Sequence, residues 1–420
     1  MIKVGIIGVG TVGTSVAQIL KDNADVISAR AGTDIVVKSG VVKNLAKDRG
    51  LDIILTDNVD DVLNDEEIDI VVELMGGVEE PFEVVKRALE NGKAVVTANK
   101  ALLAYHRYEL QDIAQDLAFE YEASVAGGIP IINALRDGLS ANHIESIMGI
   151  MNGTCNYMMT KMSQEGVSYD AILQEAQELG YAEADPTFDV GGFDAAHKLL
   201  ILASIAYGID AKPEDILIEG IDNVRSEDIA FAKEFGYVIK LLGIAKKDAD
   251  ELELRVHACL IPEDEMIAKI DGVMNAISVV GDKVGETLYY GPGAGGNATA
   301  SAVVANIIDI ARSGKSKPML GFNKPMEGKT LTLKPTANIE SKYYLRINVS
   351  DKAGVLAKLT KIFENHNISI ETILQRPTDK ENANLLISTH ESLEKNIQAM
   401  INELEALDFV NARPVMIRIV

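Results

Sequence analysis

The stretch Ile2-Lys-Val-Gly-Ile-Ile-Gly-Val-Gly-Thr-Val-Gly13 decides the fold. Ile2 to Ile7 reads as a buried strand. Gly8, Gly10 and Gly13 follow at the spacing G-x-G-x-x-G, and a helical pattern runs from Thr14 to Lys21. In that order the first glycine makes a tight turn and the second lets a pyrophosphate approach the backbone. The third lets helix and strand pack closely, with the phosphates at the helix N-terminus. Outward from this unit the pattern gives strand Ile35 to Val42, strand Ile68 to Met75, helix Phe82 to Glu90 and strand Ala94 to Thr97. Helix Leu102 to Asp116 and strand Ala118 to Glu122 come next. Strands alternating with helices predict a doubly wound α/β domain.

The chain has 420 residues, enough for two or three domains with their own cores. A net charge of -23 argues against binding a phosphate backbone, which needs clustered Lys and Arg. Hydrophobic content of 47% and charged content of 25% are ordinary for a globular protein. Cys155 and Cys259 stand in no metal or redox spacing, which predicts reduced thiols in a cytoplasmic protein. A strand opening at Ile2 leaves no room for a leader, and no apolar run reaches spanning length, so no membrane association is expected.

After the second expected strand, an NAD site would place Asp or Glu for the ribose hydroxyls. Here the position is Lys43, with Lys47 and Arg49 close behind, which suits a 2′-phosphate and favours NADP over NAD. The alternative for Lys43 is a solvated charge at a strand end. Lys100 follows the strand Ala94 to Thr97, at the edge where open α/β sheets bind ligands. Ala123-Ser-Val-Ala-Gly-Gly-Ile-Pro130 breaks regularity. It is either a structural crossover or a place where backbone carbonyls turn inward around a hard cation.

From Ile131 the pattern changes to helix Ile131 to Gly138, strand Ile144 to Met151, turn Asn152-Gly-Thr154 and a long helical stretch to Glu178. Leu179-Gly-Tyr-Ala-Glu-Ala-Asp-Pro-Thr-Phe-Asp-Val-Gly-Gly-Phe-Asp-Ala-Ala-His-Lys198 then carries Glu183, Asp185, Asp189, Asp194 and Lys198. A helix starting after Gly191-Gly192 puts Asp194 and Lys198 one turn apart on one face. That helix is apolar nearly all round, so the pair should be buried. A buried ion pair is either a structural salt bridge or a used one, since ions leave water only when paired or put to work.

Helix Glu227 to Gly236 and strands Tyr237 to Ala245, Glu251 to Pro262 and Ile277 to Val284 suggest a mixed sheet. Gly291-Pro-Gly-Ala-Gly-Gly-Asn297 opens helix Thr299 to Arg312 and is either a flexible hairpin or a second close approach to a ligand. Ser313 to Ile339, with Pro318, Pro325 and Pro335, reads as a linker. Strand Tyr343 to Ser350, turn Asp351 to Gly354, helix Val355 to His366, strands Ile368 to Gln375 and Ala383 to His390, helix Leu393 to Leu407 and strand Val410 to Ile419 make a βαββαβ module.

Gly8-Val-Gly-Thr-Val-Gly13, Thr97-Ala-Asn-Lys100, Glu122-Ala-Ser-Val-Ala-Gly-Gly-Ile-Pro130, Asn152-Gly-Thr154, Gly180-Tyr-Ala-Glu-Ala-Asp-Pro186, Asp194-Ala-Ala-His-Lys198 and Gly293-Ala-Gly-Gly296 stand in one order along the chain. Together they resemble the homoserine dehydrogenases that carry a C-terminal ACT domain, over the whole length. The resemblance implies a Rossmann-type NAD(P)-binding domain over 1–130, with a return helix at about 299–315, and an α+β catalytic and dimerisation domain over 131–298. A linker over 316–340 and a ferredoxin-like ACT regulatory domain over 341–420 complete the expected organisation.

It also implies NAD(P)-dependent interconversion of L-homoserine and L-aspartate 4-semialdehyde, on the route to threonine, methionine and isoleucine. By the same resemblance Lys198 transfers the proton and Asp194 holds the lysine or the substrate amino group. Glu183, Gly180, Thr154 and Asp189 grip the amino-acid end, and Lys100 reaches substrate and cofactor together. The expected cofactor contacts are Gly8, Gly10, Thr11, Val12, Gly13, Lys43, Gly76, Lys100 and Gly295. Glu122, Val125, Gly127 and Ile129 match a sodium site. Asp351, Gly354, Val355 and Leu356 match the ligand loop of ACT domains, where threonine is the usual feedback ligand, and a homodimer or homotetramer is expected. Two rivals remain: another NAD(P)-dependent amino-acid dehydrogenase, which would rely on histidine as acid and base, and a non-catalytic amino-acid sensor. The sensor reading leaves Lys198 and its carboxylates without purpose.

Overall fold

A computed structural model of the chain describes residues 1–313, 317–324, 326, 331–379 and 381–420. Pro325 and positions 316 and 327–330 of the expected linker lie outside the described residues. The chain forms two compact units, Met1–Gly153 with Asp194–Ile216 and Val273–Leu331, and Thr154–Phe193 with Leu217–Gly272 and Thr332–Val420.

The first unit holds a parallel sheet of β1 (Ile2–Ile7), β2 (Ile35–Val41), β3 (Ile54–Thr56), β4 (Ile70–Glu73), β5 (Ala94–Thr97) and β6 (Phe119–Glu120). The order is β3-β2-β1-β4-β5-β6, so the direction of winding reverses between β1 and β4. The crevice outside the carboxyl ends of those two strands is where such sheets take ligands. Helix Thr11–Asp22 begins three residues before the expected Thr14, so Gly13 lies inside its first turn. Helix Gly296–Ser313 closes the same core, setting Ala300, Val303 and Ile307 among Val4, Ile6, Val16 and Val72. Burying such side chains is the main favourable term that holds the layer together.

Helix Lys100–Ala114 also starts early. Asn99 caps it by accepting from the Leu102 amide at 3.0 Å, so Lys100 opens a helix instead of ending a strand. Ile131–Asn133 is a single α-turn that widens into a π-turn over Ala134–Gly138. Strand Ile144–Ile150 pairs antiparallel with Met274–Gly281, which pairs in turn with Gly285–Pro292. The single strand expected at Ile277 to Val284 is therefore a hairpin, whose return strand starts at Gly285 with φ +75°. Helix Phe193–Tyr207 buries every residue from Asp194 to Ile205. The turn expected at Asn152–Thr154 gives way to helix Gly153–Glu165.

In the second unit Tyr237–Asp248 and Glu251–Pro262 form a long antiparallel pair. The βαββαβ pattern folds as expected, with Glu340–Ser350 between Val415–Ile419 and Asn382–Thr389, and Ile370–Pro377 outside the latter. Its last strand is shorter than the sequence suggested, because Pro414 donates no ladder bond and Val410 makes only an isolated bridge to Val349. That strand also pairs in parallel with Glu251–Pro262, through Cys259 with Arg418 and Leu260 with Ile419.

Candidate active site

The helix Phe193–Tyr207 presents Asp194 and Lys198 one turn apart, and a third charge joins them. Lys198 Nζ lies 2.7 Å from Asp194 Oδ2, and Lys100 Nζ lies 2.7 Å from Asp194 Oδ1. The Asn152 side-chain amide donates to Asp194 Oδ2 at 2.9 Å, and Lys198 also donates to the Met151 carbonyl at 2.7 Å. One carboxylate thus lies between two ammonium groups. Burial alone would push the Asp194 carboxyl up, but Lys198 and Lys100 hold it well below the usual carboxylate range. His197 turns its ring edge-on to Tyr105 at 5.7 Å, and burial lowers its pKa.

The glycine loop lies at the switch point. A methyl group on Gly13 would come within 2.5 Å of the Gly8 carbonyl, and one on Gly8, at φ +104°, within 2.5 Å of the Leu74 carbonyl. A methyl on Gly10 would meet nothing within 4 Å. Two of the three glycines are therefore demanded by packing, and the second faces open space of the kind a pyrophosphate needs. A cleft of about 370 Å³ is lined here by Gly8, Gly10, Lys43, Arg49, Met75 and Gly76, among others. Arg49 donates from Nε to the Val9 carbonyl at 2.8 Å and from Nη1 to the carbonyls of Asn44 and Lys47. Thr11 and Val12 lie in the first turn of the helix that follows. Gly296 sits where a methyl would come within 3.0 Å of Ser15 Oγ, so the loop bearing Gly295 (φ +118°) packs onto that same helix.

Glu122 is buried, and its two oxygens accept from the amides of Ile132 and Asn133 at 2.8 and 2.9 Å. Burial pushes this carboxyl up to about 7 despite those bonds. Ala126 and Gly127 follow in left-handed conformations, φ +54° and +52°, and Val125 and Ile129 are buried beside them. Among the described residues no group of three or more His, Cys, Asp or Glu gathers as a metal cluster.

In the second unit Thr154 donates its hydroxyl to the Tyr181 carbonyl at 2.6 Å, so it fixes the loop that carries Gly180 (φ +74°). Glu183 is exposed, with its carbonyl bonded to Gln177, and the Asp189 carbonyl accepts from Cys155 Sγ and from the Gly192 amide. Asp185, unassigned by sequence reasoning, caps the turn at Thr187, which lowers its pKa. Gly354, at φ +89°, is the N-cap of helix Val355–Asn365, and Asp351 accepts from Gln375 at 2.9 Å. Leu356 is exposed in the first turn of that helix, and Val355 packs inward.

Sequence reasoning assigns no role to Glu73, nor to Asn99 and Asn152, although the last two lie in the motifs Thr97-Ala-Asn-Lys100 and Asn152-Gly-Thr154. A charged residue closing the apolar run Ile70-Val-Val-Glu73 was the available signal for the first.

Residues 130–308 match the family model described as homoserine dehydrogenase, residues 8–122 its NAD-binding domain, and residues 343–409 the ACT domain. The chain is 54% identical over 419 residues to a homoserine dehydrogenase of Helicobacter pylori, covering 100% of this chain and 99% of that one. It is 44% identical over 429 residues to one of Neisseria gonorrhoeae, covering 99% and 98%. Among solved structures, a homoserine dehydrogenase from Thiobacillus denitrificans superposes with a TM-score of 0.92 at 46% identity, over 100% of this chain and 98% of that one. A hyperthermophilic archaeal homoserine dehydrogenase, solved in complex with NADPH, has a TM-score of 0.63 at 28% identity, over 73% of this chain and 97% of that one.

Proposed function

The chain belongs to the homoserine dehydrogenase family of NAD(P)-dependent oxidoreductases, and we propose that Lys198 moves the proton as L-homoserine and L-aspartate 4-semialdehyde interconvert. The observation that supports this role is the Lys100–Asp194–Lys198 array, in which Asp194 and Lys198 are buried. A bound nicotinamide supplies the hydride acceptor or donor. Reduction of the aldehyde builds negative charge on its oxygen, and an ammonium beside that oxygen stabilises the charge and gives it a proton. In the other direction Lys198 must take up the hydroxyl proton. Asp194 is the counter-charge of both ammonium groups, Lys198 on one oxygen and Lys100 on the other.

Glu183, Gly180, Thr154 and Asp189 are proposed to hold the amino-acid end of the substrate, and Lys100 to reach both substrate and cofactor. Gly8, Gly10, Thr11, Val12, Gly13, Gly76 and Gly295 would hold the dinucleotide. Lys43, lining the same cleft as Arg49, supports NADP as the preferred form. Glu122 with the carbonyls of Val125, Gly127 and Ile129 is proposed to take sodium. The loop Asp351, Gly354, Val355 and Leu356 is proposed to take threonine, in a cytoplasmic homodimer or homotetramer. Among the described residues no helix is long and apolar enough to cross a membrane.

The test is absorbance at the reduced-nicotinamide band with L-homoserine and either NADP or NAD. Turnover faster with NADP supports the reading and its cofactor preference. Absence of turnover with both, while the dinucleotide still binds, would overturn it.

A further inference from the structure

Glu73 ends β4 at the switch point with its side chain fully buried, yet no role in the reaction has so far been given to it. Its Oε1 accepts from the Met75 amide at 2.6 Å, at the start of the turn to Gly77, in which Met75 and Gly76 line the cofactor cleft. Its Oε2 accepts from the Thr97 hydroxyl at 2.5 Å. Thr97 Oγ1 accepts in turn from the Asn99 amide at 3.0 Å. Asn99 donates from Nδ2 to the Gly77 carbonyl at 2.9 Å and caps the helix that begins at Lys100. Lys100 reaches Asp194, and Asp194 reaches Lys198. The bonds therefore close a ring between two turns, one flooring the cofactor cleft and the other presenting a lysine of the proton-transfer array.

A buried carboxylate is costly to keep unless its bonds do something that an apolar side chain could not. We propose that Glu73 is a positioning residue, which through Thr97 and Asn99 holds the Met75–Gly77 turn and Lys100 in the register the reaction needs. The inference rests on the reading of Lys100 and Lys198 given above. Both oxygens accept, so the ionised form is the one that fits the ring. The groups that face the carboxyl are the Thr97 hydroxyl at the end of β5, the Asn99 side chain from the turn after it and the Met75 amide from its own segment. Burial outweighs them and pushes Glu73 up to about 7. The ring should then loosen as pH falls below neutrality.

The test uses the full-length enzyme with Glu73→Gln, Thr97→Val and Thr97→Ser. Misplacement of a catalytic group by about 1 Å can cost up to about a hundred-fold in rate. Glu73→Gln and Thr97→Val should lower kcat for homoserine by about that much with little change in its KM, and Thr97→Ser should restore it. The rise of wild-type kcat through neutral pH should flatten in Glu73→Gln. In the cofactor-free protein, Thr97→Val should speed hydrogen exchange at the amides of residues 75–77, on the opposite turn, and Thr97→Ser should slow it again. If Glu73→Gln does not fold, the Thr97 pair carries both readouts. Either readout staying at its wild-type value in Thr97→Val overturns the inference. Wild-type protein inactive toward homoserine fails the underlying reading instead, and an active wild type beside unaffected variants fails this inference alone.

Discussion

Asp194 is the residue on which the site's electrostatics turn, because it is the counter-charge of two ammonium groups. Removing one partner of a buried pair costs about 3–5 kcal/mol, since the remaining charge stays out of water. Asp194→Asn should lower stability by about that amount in denaturant unfolding at neutral pH, and a loss under about 1 kcal/mol would place the pair among weak surface bridges. The pH sign follows from the depressed pKa of Asp194 in the folded chain. Its contribution is complete above the unfolded carboxylate value of about 4 and disappears as pH falls through the lower folded value. The gap between wild type and Asp194→Asn should therefore persist at pH 5 and narrow only in stronger acid. Glu122 behaves in the opposite sense, since burial raises it to about 7. If it ligates sodium, replacing choline by sodium at constant ionic strength should raise the melting temperature more at pH 8 than at pH 6, and not at all in Glu122→Gln. An equal sodium effect at both pH values would remove Glu122 from the cation site. The i,i+4 spacing made Asp194 and Lys198 legible in the sequence. Lys100 and Asn152 were not legible as their partners, because the β5 turn and the end of strand Ile144–Ile150 meet this helix only once the sheet has formed.

Elements show which glycines are held by packing and which face open space. A methyl on Gly13 would overlap the Gly8 carbonyl, whereas one on Gly10 meets no protein atom within 4 Å. Overpacking of this kind costs about 1–3 kcal/mol. Gly13→Ala should therefore lower stability by about that much and weaken NADP binding along with it. Gly10→Ala should melt close to wild type yet bind NADP at least ten-fold more weakly by fluorescence titration. A Gly10→Ala protein with normal NADP affinity would remove the second glycine from the pyrophosphate contact. The sequence carried most of the longer elements in order, missed helix Ala24–Ala31 and strand β3, and erred at the ends of others. Helix Thr11–Asp22 starts at once after Gly10, and helix Lys100–Ala114 starts where Asn99 caps it. Such ends are set by a cap or a close approach that periodicity does not register. The hairpin Met274–Gly281 and Gly285–Pro292 was read as one strand because the half-exposed return strand lacks an apolar face.

At the scale of the molecule, the C-terminal module is joined to the rest of the second unit by more than its linker. Val415–Ile419 completes the module's own sheet and also pairs with Glu251–Pro262. Arg418, fully buried on that strand, binds Glu394 within the module and Glu219 beyond it, and Tyr343 donates to Glu394 at 2.9 Å. Burial would raise the Glu394 carboxyl, but Arg418 outweighs it and lowers the pKa. Arg418→Ala should cost about 3–5 kcal/mol by stranding that carboxylate, measured as unfolding of the whole chain. A near-neutral result would mean the module is tethered loosely. Deletion of residues 341–420 would therefore disturb more than a ligand site, and a substitution at Asp351 is the cleaner test of threonine binding. The βαββαβ pattern was legible from periodicity, but its parallel pairing to a distant strand was not, since register between remote strands leaves no local trace. The central claim is that Lys198 moves the proton. The most direct measurement is steady-state oxidation of L-homoserine by Lys198→Ala beside wild type, with NADP affinity determined separately on both. General acid–base catalysis is worth about 10²–10⁴-fold, so kcat should fall by that factor while NADP affinity stays within about two-fold. Turnover near the wild-type rate, with NADP bound normally, would show that another group carries the proton.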